Sequence, residues 1–212
     1  MNIDSKDGDR IALIVAHPDD ETLWAGGSIL RSNFQECFIL SLCRKSDTDR
    51  SPKFYQALKE LGARGKMADL DDEPDQKTLE EGLMGSTIMN ILPQLTYALI
   101  YTHSPVGEYT RHKRHEEAGR AVLALWVSGQ LKAREIRLFA YEDEQKSTLP
   151  HAISSAPIQQ VLSEEIWQKK YSIITETYGF DKDGFEARTT PRIEAFWQVT
   201  TQEQAAEWLK KG

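Results

Sequence analysis

The chain has 212 residues, 40% of them hydrophobic, with five Trp, seven Tyr and seven Phe; this fills a sizeable core and argues against disorder. Its net charge of −7 and pI near 5.3 argue against a dedicated nucleic-acid binder, since the basic residues are spread thinly. The apolar runs fall far short of the ~20 residues that span a bilayer, and residues 1–7 hold no apolar signal core, so a soluble, cytoplasmic protein is expected.

Residues 11–16 form an apolar run that predicts a buried strand. A helix is predicted over 21–31, where Gly26-Gly27 suits close packing against a sheet at ~1 kcal/mol of helix propensity each. Residues 36–43 read as a second strand. Ser51 as cap, Pro52 at the first position and Gly62 as stop frame a helix ending at Leu61. A short third strand covers 67–70, and a helix over 78–95 is weakened by Gly82 and Gly85 and ended by Pro93. Residues 97–101 predict a fourth strand, followed by the loop Thr102-His103-Ser104-Pro105. The next helix, 114–127, has Ala118, Ala121, Val122 and Leu125 at helical spacing. A fifth strand over 136–141, a helix over 163–177 opened by Ser163-Glu164-Glu165, a strand over 193–197 and a helix over 203–210 complete the chain.

Strands alternating with helices imply βαβ units. The expected fold is a single α/β domain over residues 1–212, with a Rossmann-like, mostly parallel sheet and helices on both faces. No Gly-x-Gly-x-x-Gly follows the first strand, so a nucleotide cofactor is not expected. Cys37 and Cys43 share a strand, and their parity predicts one common face with Ile39 and Ser41. Both read as small buried thiols of a reducing compartment. Trp126, Trp167 and Trp197 read as core.

The chemistry concentrates at strand ends. His17-Pro18-Asp19-Asp20-Glu21 follows the first strand, and three of the five histidines, His103, His112 and His115, follow the fourth. Open α/β sheets bind ligands at the carboxyl ends of their strands. Each motif alone has an ordinary reading: a His-Pro turn, a helix-capping Asp pair, a surface His-x-x-His. Placed together at two strand ends of one sheet, His17-x-x-Asp20 and His112-x-x-His115 can converge. Two imidazoles and a carboxylate, with one position open, make the ligand set of a catalytic zinc site. Zinc lowers the pKa of bound water to about 7, and a carboxylate that is not a ligand can take the remaining proton.

These residues resemble the PIG-L (LmbE-like) zinc-dependent de-N-acetylases. The strongest parts are Ala16-His17-Pro18-Asp19-Asp20-Glu21-Thr22 with Gly26-Gly27, and 102–109 running on to His112-x-x-His115. Weaker echoes are Arg50-x-x-Lys53-x-x-x-Ala57-x-x-x-Leu61-Gly62 and Glu194-x-Phe196. The resemblance implies a hydrolase that removes N-acetyl groups from glucosamine-containing or related small molecules, with one zinc per chain held by His17, Asp20 and His115. Another divalent metal would fit similar ligands. It implies Asp19 as general base. His112 would be a cation or hydrogen-bond donor that steadies the oxyanion, and His112 or Asp19 would protonate the leaving amine.

The chain departs from the family at Lys113-Arg114, where many relatives carry Pro-Asp, and at Lys53, where relatives often have Glu. Arg50 reads either as a substrate contact or as a solvated residue before a helix. Tyr109 reads as an oxyanion donor or a packed loop residue, and Asp71 and Asp72 as sugar contacts or an acidic turn. Trp24 would line the pocket against a sugar face, and His103 is a further loop imidazole beside the metal. Rival readings are a metal-dependent phosphoesterase and a non-catalytic metal- or sugar-binding protein. A homo-oligomer is compatible with the sequence; no nucleic-acid or membrane partner is expected.

Overall fold

The computed structural model describes residues 9–75 and 77–211; the expectation for residues 1–7 lies outside them. In chain order the elements are β1 (Arg10–Val15), α1 (Asp20–Arg31), β2 (Glu36–Cys43), α2 (Arg50–Leu61), β3 (Arg64–Leu70), α3 (Leu83–Ile91), β4 (Thr96–Thr102), α4 (Lys113–Val127), β5 (Lys132–Phe139), β6 (Tyr141–Glu142), β7 (His151–Ala152), β8 (Ile158–Val161), α5 (Glu164–Ser172), a π-helical turn (Ile173–Thr177), α6 (Phe185–Thr189), β9 (Ile193–Val199) and α7 (Gln202–Lys210). Among the described residues, no helix is long and apolar enough to cross a membrane.

One seven-stranded sheet has the order β3-β2-β1-β4-β5-β9-β8. The first five strands are parallel, and β9 and β8 extend the sheet antiparallel to their neighbours. The chain winds outward from β1 to β3, then crosses back to lay β4 on the other side of β1. The strand order reverses there, which opens a crevice beyond the carboxyl ends of β1 and β4.

The apolar run of β1 is continuous because both of its faces are covered. Ile11, Leu13 and Val15 pack with Leu23, Trp24 and Ile29 of α1, Phe54 and Leu58 of α2 and the π-helical turn. Ala12 and Ile14 pack with Met84 and Ile88 of α3, Val122 and Trp126 of α4 and Ala205 of α7. Helix α4 lies tight on the loop after β4: a Cβ on Gly119 would stand 2.4 Å from the His103 carbonyl oxygen.

Several boundaries differ from the predicted ones for local reasons. Helix α2 starts at Arg50 with Asp49 as its cap, two residues ahead of the expected cap at Ser51, because the Asp47 carboxylate accepts the N–H groups of Asp49 (2.9 Å) and Arg50 (2.8 Å). Its stop is as expected, with Gly62 left-handed at φ 67°. Helix α3 is shorter than 78–95: Gly82, at φ 79°, sets its start, and Arg114 and Lys113 tie the preceding segment to α4 through the Lys77 carbonyl and Thr78 Oγ1. The helix predicted over 163–177 begins as expected on Ser163, which accepts from Ile166 N–H, but its last turn is π-helical. Gly27 faces Leu162 just past the end of β8 and donates to Glu194 of β9, and Gly26 faces Lys170, so α1 makes its close approach to the antiparallel edge of the sheet and to α5.

The parity argument for the cysteines fails at a bulge. The pairing of β2 with β3 shifts register between Ser41 and Cys43. Ala68 and Asp69 of β3 stand opposite Leu42 alone, so the regular alternation of the pair is broken where β2 ends. Cys37 therefore packs in the core beneath α1 and α2, and Cys43 in the core beneath α3 and α4. Both are buried free thiols. Trp126 is buried as expected, whereas Trp167 and Trp197 are half-buried.

Candidate metal centre and active site

The ends of β1 and β4 bring the two histidine motifs together. His17 Nδ1 is 3.1 Å from His115 Nε2 and 3.2 Å from Asp20 Oδ2, and His115 Nε2 is 3.4 Å from the same oxygen. Ligands at ~2.0–2.1 Å in tetrahedral geometry stand ~3.3 Å apart. The three atoms thus have the spacing of one face of a tetrahedron.

The outward atoms of these side chains determine which lone pairs point inward. His17 Nε2 is 3.1 Å from Asp72 Oδ1, and His115 Nδ1 is 3.0 Å from Glu108 Oε2. Each ring donates its proton to that carboxylate, so the opposite nitrogen presents a lone pair. Trp24 Nε1 donates to Asp20 Oδ1 at 3.1 Å and leaves Oδ2 facing the two rings. Three electron-rich atoms converging in this way repel one another unless a cation lies among them. Outer partners of this kind orient the ligands of metal sites. Without a metal the cation is a proton: burial opposes it on His17, but Asp20 and Asp72 outweigh burial and lift the imidazole to about 10. Burial likewise works to raise Asp20, and His115 and His103 outweigh it and hold that carboxyl well below the usual range.

His103 also reaches this cluster. Its Nε2 is 3.4 Å from Asp20 Oδ2, and Asp20, His103 and His115 together present atoms within ligand distance of one another. That nitrogen is already used, however: it accepts the Ala16 N–H at 3.0 Å, while Nδ1 meets Glu108 Oε1 at 2.9 Å. His103 is a strut under the site. Glu108 is the residue that sequence reasoning missed, although it lies inside the 102–109 run. One carboxylate spans His103 and His115 and accepts Ser104 N–H at 3.0 Å. Burial would raise it, but the two histidines hold it down at about 2.

Asp19 stands beside the cluster in an unusual backbone conformation, φ 115°. A non-glycine residue there carries strain of ~1–3 kcal/mol. The buried Glu21 holds it: its Oε2 accepts Asp19 N–H at 2.9 Å, and its Oε1 accepts Thr22 Oγ1 (2.6 Å) and Tyr178 Oη (2.7 Å). Arg50 Nη1 donates to Asp19 Oδ2 at 3.0 Å, and its guanidinium lies 4.4 Å from the Phe180 ring centroid. Burial, and then the charge of Asp20, raise the Asp19 carboxyl well above the usual range.

The His112 ring stacks on His115 at 4.4 Å and meets His17 edge-on at 4.7 Å. Burial, then the neighbouring His115 and His17, push it down to about 4, which makes it a neutral imidazole near pH 7 rather than the cation allowed for above. Tyr109 lies between Trp24 (5.1 Å) and Phe185 (5.7 Å) and faces the cavity. Trp24 does not line the cavity; it is 1% exposed and acts through Asp20. Both Asp72 oxygens are engaged, one by His17 and the other by Arg44 Nη2 at 2.8 Å. Burial would raise that carboxyl, and His17, then Arg44, bring it to about 2. Arg114, at the departure from the family pattern, is fully buried and binds the backbone carbonyls of Asp71 and Lys77 and the Glu117 carboxylate; it ties the segment after β3 to α4.

A cavity of about 220 Å³ opens over the cluster, lined by His17, Asp19, Arg50, Tyr109, His112 and Phe185 among others. A wider cleft of about 960 Å³ adjoins it, sharing Arg44, Asp72 and His112.

No family model matches the chain, and no curated protein matches it in sequence. Among solved structures, it is similar to an N,N'-diacetylchitobiose deacetylase from Pyrococcus horikoshii: 14% identity, TM-score 0.65, covering 92% of this chain and 85% of that one. It is also similar to the A40926 pseudoaglycone deacetylase Dbv21, at 15% identity and TM-score 0.65, covering 92% of this chain and 98% of that one. GalB, the 4-carboxy-2-hydroxymuconate hydratase from Pseudomonas putida KT2440, matches at 15% identity and TM-score 0.58, over 91% of this chain and 97% of that one. At these identities the likeness establishes the fold, and the same fold carries more than one reaction.

Proposed function

We propose that this chain is a metal-dependent amidohydrolase that removes the acetyl group from an N-acetylated amine, with an N-acetylglucosamine-type sugar derivative as substrate. One observation carries the reading: His17, Asp20 and His115 aim three lone pairs at one point, 3.1–3.4 Å apart, at the floor of a cavity that also holds Asp19. The likeness to two deacetylases supports it. We take residues 1–212 as one such catalytic domain. Two free, buried cysteines fit a reducing, cytoplasmic setting.

In this reading His17, Asp20 and His115 hold Zn2+. The ion would supply a low-pKa water and polarise the amide carbonyl. Asp19 takes the proton of the attacking water. Its raised carboxyl is a stronger base than an exposed aspartate, and Arg50 fixes one of its oxygens. The neutral His112 donates a hydrogen bond to the developing oxyanion, with Tyr109 as a second donor at the rim; one such donor commonly supplies ~3–4 kcal/mol. The proton held by Asp19 passes to the nitrogen as the C–N bond breaks, releasing acetate and the free amine. A two-metal phosphoesterase would need a carboxylate bridging both ions, whereas the second oxygen of Asp20 is committed to Trp24.

The test is metal content by mass spectrometry, for the wild type beside His115→Ala, followed by amine release from N-acetylglucosamine and diacetylchitobiose. Near one equivalent of metal in the wild type, lost in the variant, with amine release, supports the proposal. No metal after zinc is supplied removes it. Metal with tight sugar binding but no turnover would instead favour a binding protein.

A further inference from the structure

A second group of ligand atoms lies beside the first. Strands β1, β2 and β3 end next to one another, and each delivers one donor: His17, Cys43 and Asp72. A ring nitrogen, the thiol sulfur and a carboxylate oxygen of these residues lie within 4.8 Å of one another. His17 Nε2 faces this group, 3.1 Å from Asp72 Oδ1, while Nδ1 faces Asp20 and His115. The alternation of β2 breaks at its last residue, where its register with β3 shifts; unbroken pleating would have left Cys43 on the face of Cys37.

We propose that Cys43, Asp72 and the outer nitrogen of His17 form a second site, for a thiophilic divalent cation such as Cd2+ or excess Zn2+, and that filling it inhibits the first. Binding replaces the Cys43 S–H and His17 Nε2–H bonds by bonds to the metal and releases two protons; nothing is oxidised or reduced. With zinc–sulfur at ~2.3 Å and zinc–nitrogen at ~2.0–2.1 Å, sulfur and nitrogen stand ~3.6 Å apart. The donors therefore close by up to roughly 1 Å, within reach of side-chain rotation, whereas the first site needs no such movement. Arg44 stays on the other oxygen of Asp72, 2.8 Å away, and its charge weakens the site. The second site consequently fills after the first. The ion enters from the cleft lined by Arg44, Asp72 and His112. There it takes the outer nitrogen of His17 from Asp72 Oδ1, the 3.1 Å contact that orients this ring toward the first site. The binding half of the proposal stands whatever the reaction; the inhibitory half rests on the hydrolase reading.

The experiment is a Co2+ titration of chelator-stripped Cys37→Ser protein, in which Cys43 is the remaining thiol. The first equivalent should give visible bands without a thiolate-to-cobalt charge-transfer band, and a second, weaker equivalent should bring that band. Cys43→Ala, made in the wild-type chain, should keep the first equivalent and lose the second. Cd2+ should inhibit amine release by the wild type about tenfold or more and spare Cys43→Ala. The wild type and Cys43→Ala decide the matter if Cys37→Ser does not fold. A single equivalent, or a charge-transfer band that survives Cys43→Ala, overturns the second site. Loss of the first equivalent too overturns both sites. Two equivalents with uninhibited amine release remove the inhibitory half; two equivalents with no amine release under any loading remove the hydrolase reading and leave the second site standing.

Discussion

Glu108→Gln tests the reasoning at its most exposed point. The carboxylate serves three donors: His103 Nδ1 and Ser104 N–H on Oε1, and His115 Nδ1 on Oε2. Glutamine keeps one acceptor. Turning its oxygen to the His103 side preserves two of the three bonds, so the amide NH2 then faces His115 Nδ1. Two N–H groups cannot point at each other, and the His115 proton moves to Nε2, the atom that must offer a lone pair to the metal. Losing such an outer partner commonly reduces metal affinity 10–100-fold, or ~1.4–2.7 kcal/mol. The measurement is calorimetric titration of Zn2+ into chelator-stripped wild type and variant, with circular dichroism to show that both are folded. A folded Glu108→Gln protein that binds zinc as tightly as the wild type would refute the tautomer argument and the ligand role of His115 Nε2.

Other outcomes follow from the same geometry. Asp19→Asn should retain the metal and lose ~10²–10⁴-fold in amine release; full activity with metal bound would take Asp19 out of the mechanism. Lys170→Met should destabilise the fold by ~3–5 kcal/mol, because Glu194 is left charged in the core. Lys170 Nζ is 2.7 Å from Glu194 Oε1, both side chains are fully buried, and Glu194 also accepts the N–H groups of Gly27 and Ser28. The double variant with Glu194→Gln should recover part of the loss in urea denaturation; a single variant as stable as wild type would show that the pair is dispensable. Acid should destabilise the metal-free protein in a defined window. Glu108 and Asp72 are held at about 2 in the fold, below their unfolded values, so the unfolded chain binds protons first. Their contribution is complete above about pH 4.5 and disappears as pH falls toward 2. A urea midpoint that stays flat between about pH 5 and 2.5 would contradict this.

Much of the fold was legible because its signals are local. The apolar run of β1, the Gly62 stop and the spacing in α4 each reflect a short-range rule, and alternation of strands and helices implies the parallel order around β1. The pattern also brought His17, Asp20 and His115 to adjacent strand ends. What stayed hidden depends on contacts between distant segments. The break in alternation at Cys43 falls where the register with β3 shifts. The early start of α2 depends on the Asp47 carboxylate. Glu108 sat in a quoted motif, but its role appears only when His103 and His115 flank it in space. Asp72, read as a sugar contact or an acidic turn, proved to be the outer partner of His17. Lys113-Arg114, the departure from the family pattern, has a structural use: a buried guanidinium pins the 71–77 segment to α4.

The switch in strand order has a consequence for how such a protein diversifies. His17 and Asp20 follow β1 directly and His115 stands in the first turn of α4, all on the floor of the crevice, and the strands behind them, β1 and β4, are each paired on both sides. The walls come from elsewhere: the segment after β3 on one side, and residues around Phe180 and Phe185 on the other. Floor and walls are thus inherited on separate stretches of chain. Exchanges in the walls that keep Asp72, which orients His17, and Phe180, which lies under Arg50, can alter what is admitted while the chemistry beneath is retained, a route to new specificity by wall grafting.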